Sequence, residues 1–230
     1  MLILSVESSA VSASCALVNE EKVIAEYFIN NKLTHSKTLL PMIENMLCTA
    51  EIDINDIDLF AVASGPGSFT GIRIGICTVK GLAAPFGKPC AAVSTLESMS
   101  FSVKFHKGII CCVMDARCGQ VYNALFESDG ENVTRLCEDR ALTIDVLKKE
   151  LHIFPQKNIL LVGDGADLCY NTFKEENNVF IAPLHLKFQR AAGVAFAAQR
   201  LYKEGKTVSP EKLVPFYLRL SQAERNLKKD

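Results

Sequence analysis

A glycine-rich segment between two apolar stretches constrains the fold of this chain more than any other feature. It reads Ser-Gly-Pro-Gly-Ser-Phe-Thr-Gly-Ile-Arg-Ile-Gly at positions 64–75, and we call it the glycine segment. The apolar run Leu59–Ala63 before it predicts a strand, and Ile72–Phe86 after it predicts a helix. Glycine-rich turns between a strand and a helix often bind phosphate through backbone N–H groups. The segment therefore predicts an α/β protein with N–H groups presented at a helix N-terminus.

Two well-known phosphate signatures nevertheless fail to match. A Walker loop ends in Gly-Lys-Ser/Thr, whereas Ile72 and Arg73 follow Gly71. The dinucleotide fingerprint is G-x-G-x-x-G, whereas the glycines at 65, 67 and 71 give G-x-G-x-x-x-G. Gly71 and Gly75 stand four residues apart and leave a bare stripe on one helix face. The stripe favours close packing, either inside the chain or against a partner, and spacing alone does not separate the two.

The composition limits the function classes. The chain has 230 residues, 49% hydrophobic and 22% charged, which is typical of a soluble globular protein. A net charge of −1 without a long block of like charges does not favour strong binding to nucleic acid or an anionic membrane. We expect a cytoplasmic protein, because no apolar stretch approaches the length of a membrane span and the first residues do not resemble a signal peptide.

The nine cysteines include no C-x-x-C pair and are expected to be reduced thiols. Five of them lie within apolar runs and are expected to be buried. These are Cys15, Cys77, Cys111, Cys112 and Cys169.

The predicted elements repeat along the chain. Three short β-type runs precede a helix at His35–Ala50, which Pro41 predicts to start late, near Ser36 or Lys37. The order over about the first hundred residues is β-β-β-α-β-α-β-α, and a similar order begins again after Gly108. Such a repeat predicts two mixed sheets, each flanked by helices.

Several of these segments together resemble the bacterial TsaB (YeaZ) family, the dimerisation subunit of the machinery that makes threonylcarbamoyladenosine on tRNA. The resemblance covers most of the chain, is strongest in the first half, and depends above all on the glycine segment at 65–75. The supporting segments are residues 3–9, His35-Ser36 with Leu39-Leu40-Pro41, residues 114–117 before the strand at 120–122, and residues 217–219.

The resemblance implies the duplicated fold of actin, Hsp70 and sugar kinases. In such folds the last helix of the second half packs back on the first. We therefore expect an N-terminal domain of residues 1–106 plus about 189–206. Residues 107–188 would form the C-terminal domain, and residues 207–230 a tail that docks on the body.

The resemblance also implies that this chain lacks catalytic machinery of its own. The catalytic sister subunit binds metal through two histidines of a Val-Asn-His-x-x-x-His motif, and those positions match Thr95 and Met99 here. We therefore expect neither catalytic residues nor a metal site. Asp115 and Arg117 remain open, as an acid with an anion anchor or as ordinary turn residues.

The end of the first strand is the candidate position for a nucleotide. The family usually has Asp-Thr-Ser at this position, whereas this chain has Glu7-Ser8-Ser9. In relatives that use a nucleotide, this turn faces the phosphate. The residues expected to lie near a nucleotide are Glu7, Ser8, Ser9, Ser68 and Thr70. The alternative is an ordinary polar hairpin turn.

Members of the family pair through their first two helices, either with the sister or with a second copy. The expected contact residues are Leu40, Ile43, Met46, Leu47, Gly71, Ile72, Gly75, Ile76 and Val79. On this hypothesis, a bulky residue in place of Gly75 would weaken partner binding and leave the monomer folded.

The implied function is a non-catalytic scaffold that stabilises a TsaD-like catalytic subunit and helps to recruit a TsaE-like ATPase. We expect a homodimer when the chain is alone, contact with tRNA only through the complex, no membrane contact, and no tightly bound cofactor, with ATP and metal on the partners. The alternative is a free-standing ATP-dependent phosphotransferase using Glu7 and Asp115. A third possibility is a self-pairing protein without a nucleotide role.

Overall fold

The first half of the chain forms one mixed sheet. The computed structural model describes residues 1–31 and 33–219. The strands are β1 (Ile3–Glu7), β2 (Ala13–Val18), β3 (Val23–Ile29), β4 (Leu59–Gly65) and β5 (Cys90–Ser94), in the order β3-β2-β1-β4-β5. The first three strands are antiparallel, and β4 runs parallel to both β1 and β5. Because β1 and β4 are parallel neighbours, Glu7 and Gly65 meet at the same edge of this first sheet.

The second half repeats this plan. Its strands are β6 (Gly108–Asp115), β7 (Gln120–Ser128), β8 (Val133–Arg135), β9 (Arg140–Thr143), β10 (Ile159–Val162) and β11 (Val179–Ile181). The order is β11-β10-β6-β7-β8, with β9 paired to β7. Strands β6 and β7 are antiparallel, whereas β10 is parallel to β6 and β11. The predicted duplication is therefore confirmed.

Helices cover both faces of the two sheets. They are α1 (His35–Ala50), α2 (Phe69–Ala83), α3 (Thr95–Ser102), α4 (Ile144–Leu151), α5 (Ala166–Phe173), α6 (Leu184–Lys187) and α7 (Ala191–Lys203). Helices α1 and α2 pack on the outer face of the first sheet, and α7 packs on its other face. Helix α3 packs on the second sheet, whose opposite face carries α4 and α5. Two mixed sheets, each covered by helices, form the actin-like fold that the resemblance implied.

The two central helices approach each other closely. An added Cβ at Gly193 on α7 would lie 2.3 Å from both the Ser98 carbonyl oxygen and the Ser102 hydroxyl on α3. Alanines surround Gly193 on the buried face of α7. Small side chains therefore allow the two halves to pack together through α3 and α7. In the described part of the chain, no helix has both the length and the apolar character needed to cross a membrane.

The helix boundaries differ from the sequence prediction in two places. Helix α1 begins at His35 and contains Pro41 in its interior, so the predicted late start was wrong. The lost backbone bond is tolerated because Leu39, Ile43 and other residues of α1 are buried against the sheet. Helix α2 begins at Phe69, three residues earlier than predicted, because Ser68 accepts a hydrogen bond from the Gly71 N–H and caps the helix.

Candidate functional site

The glycine segment packs tightly against its own chain. An added Cβ at Gly67 would lie 2.4 Å from the carbonyl oxygen of Ser9, and one at Gly71 would lie 2.1 Å from that of Ser8. At Gly75 it would lie 2.5 Å from the Ser8 hydroxyl. Real Cβ atoms do not approach other atoms this closely, so each of these glycines permits a contact with the β1–β2 turn that no larger residue allows.

These contacts correct the hypothesis about Gly71 and Gly75. Both glycines are buried in α2 and face the chain's own β1–β2 turn, so neither presents a surface to a partner. The close contacts at Gly75 argue against the expectation that a bulky residue there would spare the monomer. The glycine spacing left open whether this helix face packs inside the chain or against a partner. In the structure it packs inside the chain.

Two hydrogen bonds hold the β1–β2 turn on the start of α2. The Ser8 hydroxyl donates to the Gly71 carbonyl at 2.9 Å, and the Ser68 backbone N–H donates to the Ser9 carbonyl at 2.7 Å. Ser8 and Ser9 are fully buried, whereas Ser68 and Thr70 are exposed. The five residues expected near a nucleotide therefore divide into a buried set on the β1–β2 side and an exposed pair on α2.

Glu7 is the buried acid of this site. Its side chain is fully buried, and burial raises its pKa to about 7. One carboxylate oxygen accepts the Ser9 backbone N–H at 2.6 Å, and the other has no hydrogen-bond partner among the described residues. The nearby charge of Asp164 contributes to this rise in pKa. A carboxyl group in such surroundings is partly protonated at neutral pH.

Asp164 brings the second half of the chain to the same place. It follows the end of β10, and burial raises its pKa as well. Gln189 donates a hydrogen bond to its carboxylate at 2.8 Å. The carboxyl ends of β1 and β10 thus place two acids near each other between the sheets, Glu7 fully buried and Asp164 partly buried. Of the two, only Glu7 stood out in the sequence. Asp164 lies in a Gly-Asp-Gly sequence at a predicted strand end, which was a usable signal.

Asp115 and Arg117 stabilise the turn after β6. The Asp115 carboxylate accepts the Arg117 backbone N–H at 2.8 Å, and Arg117 has a φ of 68°. The Arg117 side chain is exposed. This geometry favours the interpretation of both as turn residues.

The positions that match the sister's histidines lie in the protein core. Thr95 and Met99 of α3 are buried, and Met99 packs among the apolar side chains on the inner face of the second sheet. Across residues 1–31 and 33–219, no group of three or more His, Cys, Asp or Glu side chains is placed to hold a metal ion. Glu97, between them, instead pairs with Arg200 and lies 3.8 Å from Arg135.

The predicted partner residues on α1 and α2 are mostly buried. The buried ones belong to the core of the single chain, and their contact with a partner stays a prediction. They are Ile43, Met46, Ile72, Ile76 and Val79. Leu40 is 52% exposed, and Leu47 is partly buried. Of the predicted contact residues, Leu40 and Leu47 therefore remain on the outer surface of the helix pair.

An apolar groove runs along this surface, and we call it the α1–α2 groove. It is lined by Leu40, Leu47, Ile52, Ile54 and Leu82, with Ile43 at its base and Glu44 and Asp53 beside it. A second hollow lies at the other end of the helix pair and is lined in part by Val11, Leu33 and Ile74. Sequence reasoning missed Val11, Leu33, Ile52 and Ile54 because they lie outside α1 and α2, where no helical periodicity marks them.

The cysteines are all free thiols in the structure. Cys15, Cys111, Cys112 and Cys169 are buried as expected, and burial raises the pKa of each thiol. Cys77 is exposed on α2, so the expectation that it is buried was wrong. It lies on the helix face that points away from the sheet.

Comparisons with known proteins agree with this architecture. The family model of TsaD, a tRNA N6-adenosine threonylcarbamoyltransferase, matches residues 22–227. The tRNA threonylcarbamoyladenosine biosynthesis protein TsaB of Bacillus subtilis (strain 168) is 32% identical, over 97% of this chain and 96% of its own length. TsaB of Escherichia coli (strain K12) is 30% identical, over 99% and 98%.

A solved structure shares the fold. YeaZ from Pseudomonas aeruginosa has a TM-score of 0.74 and 23% identity, over 94% of this chain and 99% of that chain. The full-length sequence matches lead to one conclusion about the family. The chain belongs to the TsaB family, within the wider group of proteins that match the TsaD model.

Proposed function

We propose that this chain is a non-catalytic subunit that binds and stabilises a TsaD-like threonylcarbamoyltransferase during the modification of tRNA adenosine to threonylcarbamoyladenosine. Membership of the TsaB family supports the reaction pathway. The observation that carries the non-catalytic role is the burial of Thr95 and Met99 at the positions that match the sister's histidines. Neither side chain offers a nitrogen ligand, and both are enclosed by the core.

The α1–α2 groove supports the binding role. Apolar residues that remain half exposed along one surface favour a protein contact, because covering them removes apolar area from water. Leu40 is the most exposed apolar side chain lining the groove. The same surface would serve the sister subunit in the complex and a second copy when the chain is alone.

The remaining parts of the proposal concern the other partners. A TsaE-like ATPase would join the complex, ATP and metal would be held by the partner subunits, and tRNA would be contacted through the complex in the cytoplasm. Two N–H groups at the start of α2 are already paired inside the chain, Ser68 with the Ser9 carbonyl and Gly71 with the Ser68 hydroxyl, which supports the absence of tight nucleotide binding.

The test combines reconstitution with a charged substitution in the groove. The transfer reaction is measured with the TsaD-like subunit and the ATPase, with and without this chain, and affinity for the sister is measured by calorimetry. Leu40→Glu is expected to weaken that affinity at least about tenfold, since it removes apolar contact area and buries a charge. The matched control is Leu184→Glu on α6, where the leucine is 79% exposed.

Unchanged affinity and transfer in the Leu40→Glu variant would contradict the proposed surface. Transfer by the sister at full rate without this chain would contradict the stabilising role. ATP turnover by the isolated chain, lost in Glu7→Gln, would support the phosphotransferase alternative instead.

A further inference from the structure

We propose that residues 213–219 act as a strap that latches the two sheets together across the glycine segment. The strap begins at Leu213, which is 1% exposed and packs in the core beneath α2. The Phe216 backbone N–H then donates to the Ser64 carbonyl at the end of β4, at 2.8 Å. Arg219 Nη1 donates to the Ala116 carbonyl at 2.9 Å, in the turn that follows β6. Seven residues thus join the edges of both sheets.

The glycine segment is shaped to receive the strap. A Cβ added at Gly65 would lie 2.1 Å from the Phe216 carbonyl oxygen, and Gly65 has a φ of 130°. Both the close approach and the backbone conformation require glycine at this position. Gly65 is the one glycine of the G-x-G-x-x-x-G pattern that the β1–β2 turn does not explain. The strap therefore accounts for the remaining glycine of that pattern.

An aromatic contact fixes the strap on α2. The rings of Tyr217 and Phe69 are stacked, with centroids 4.3 Å apart and planes 13° apart. Phe69 is the first residue of α2. One turn later, Arg73 Nε donates to the Tyr217 hydroxyl at 2.8 Å, and its guanidinium carbon lies 5.6 Å from the Tyr217 ring centroid. The strap therefore holds the first turn of α2 in addition to the two sheet edges.

These contacts make a specific dynamic prediction. If the strap is a latch, its release loosens two regions that are distant in sequence, the glycine segment and the β6–β7 turn, at the same time. If it is only a docked tail, its release loosens the tail alone. Local opening of this kind is measured by amide hydrogen exchange.

The experiment is hydrogen exchange with mass spectrometry on the full chain. In Tyr217→Ala, exchange is expected to rise about tenfold in peptides covering residues 64–72 and 115–121, because the stacked pair and the Arg73 hydrogen bond are lost. In Arg219→Ala, the rise is expected at 115–121 and to be smaller at 64–72. The matched control is Tyr202→Ala, which removes a tyrosine that is 45% exposed on α7.

A rise in exchange confined to residues 213–219 in Tyr217→Ala would overturn the proposal. Tyr217→Phe guards against a general loss of folding, since it keeps the stack, loses only the hydrogen bond from Arg73, and should give an intermediate rise in the same two regions. The measurement uses the isolated chain, so it fails or succeeds independently of the partner surface.

Discussion

Replacing Gly75 by alanine tests whether the glycine stripe of α2 serves packing inside the chain. The new Cβ would lie 2.5 Å from the Ser8 hydroxyl and 3.2 Å from Val62 Cγ2. Ser8 uses that hydroxyl to donate to the Gly71 carbonyl. To make room, the Ser8 side chain has to move and give up this hydrogen bond, while Val62 in β4 shifts by a few tenths of an ångström.

The expected magnitude follows from one favourable and two unfavourable terms. Alanine is favoured over glycine in a helix interior by about 1 kcal/mol. Overpacking a buried site costs about 1–3 kcal/mol, and losing the partner of a buried polar group falls in the same range. We therefore expect Gly75→Ala to lower the free energy of unfolding by at least about 1 kcal/mol. Gly81 on the same helix has no atom within 4 Å of an added Cβ, so Gly81→Ala should raise it by up to about 1 kcal/mol.

The assay is urea unfolding followed by circular dichroism, with both variants measured beside the wild type. The double variant Ser8→Ala/Gly75→Ala adds a decisive comparison, because removing the hydroxyl vacates the space that the new Cβ needs. Its loss of stability should be smaller than the sum of the two single losses by about 1 kcal/mol. Equal effects at Gly75 and Gly81, or strict additivity with Ser8→Ala, would refute the reasoning.

Three further perturbations have defined outcomes. Burial raises the pKa of Glu7 from 4.5 to about 7 in the folded protein, so the wild type should lose stability relative to Glu7→Gln as the pH rises from about 4.5 to about 7. The expected loss is about 3 kcal/mol in total. Urea unfolding of both proteins at pH 5 and pH 8 measures it, and a stability difference that does not change with pH contradicts it. Arg135→Met leaves the buried carboxylates of Asp139 and Glu97 without this cation and should lower stability by about 3 kcal/mol in the same assay, whereas a change below about 0.5 kcal/mol would show that the pairing is dispensable. Pro41→Ala restores a backbone N–H donor inside α1 at an exposed position. It should raise the melting temperature and increase the free energy of unfolding by about 1–3 kcal/mol. An unchanged or lower melting temperature would contradict the interpretation that Pro41 costs α1 a backbone hydrogen bond.

The local elements were largely predictable because their signals are local. Ser68 before α2 and Thr143 before α4 cap their helices through their own side chains, three residues from the N–H groups that they accept. The alternating and helical apolar patterns gave most strands and helices. The short elements β9, β11 and α6 were not predicted, because three or four residues with mixed burial carry too little periodic signal.

The sequence by itself determined the duplicated α/β plan and the strand–glycine–helix connection at 59–75. Each of these depends on residue type and short-range spacing. The resemblance to the TsaB family also came from the sequence, since its motifs are contiguous.

Only the tertiary structure decided what the glycines and the apolar stripes face. Spacing defines a smooth helix surface, but the group that fills it comes from far away in the chain. The Ser8 hydroxyl bonds to the Gly71 carbonyl across 63 residues of sequence. Likewise, Phe216 meets Gly65 only because the strap returns to the edge of the first sheet. Close packing depends on distances between atoms that only folding brings together. In the folded chain the glycine segment, which resembles a phosphate loop in sequence, is a tightly packed contact between the β1–β2 turn, α2 and the strap.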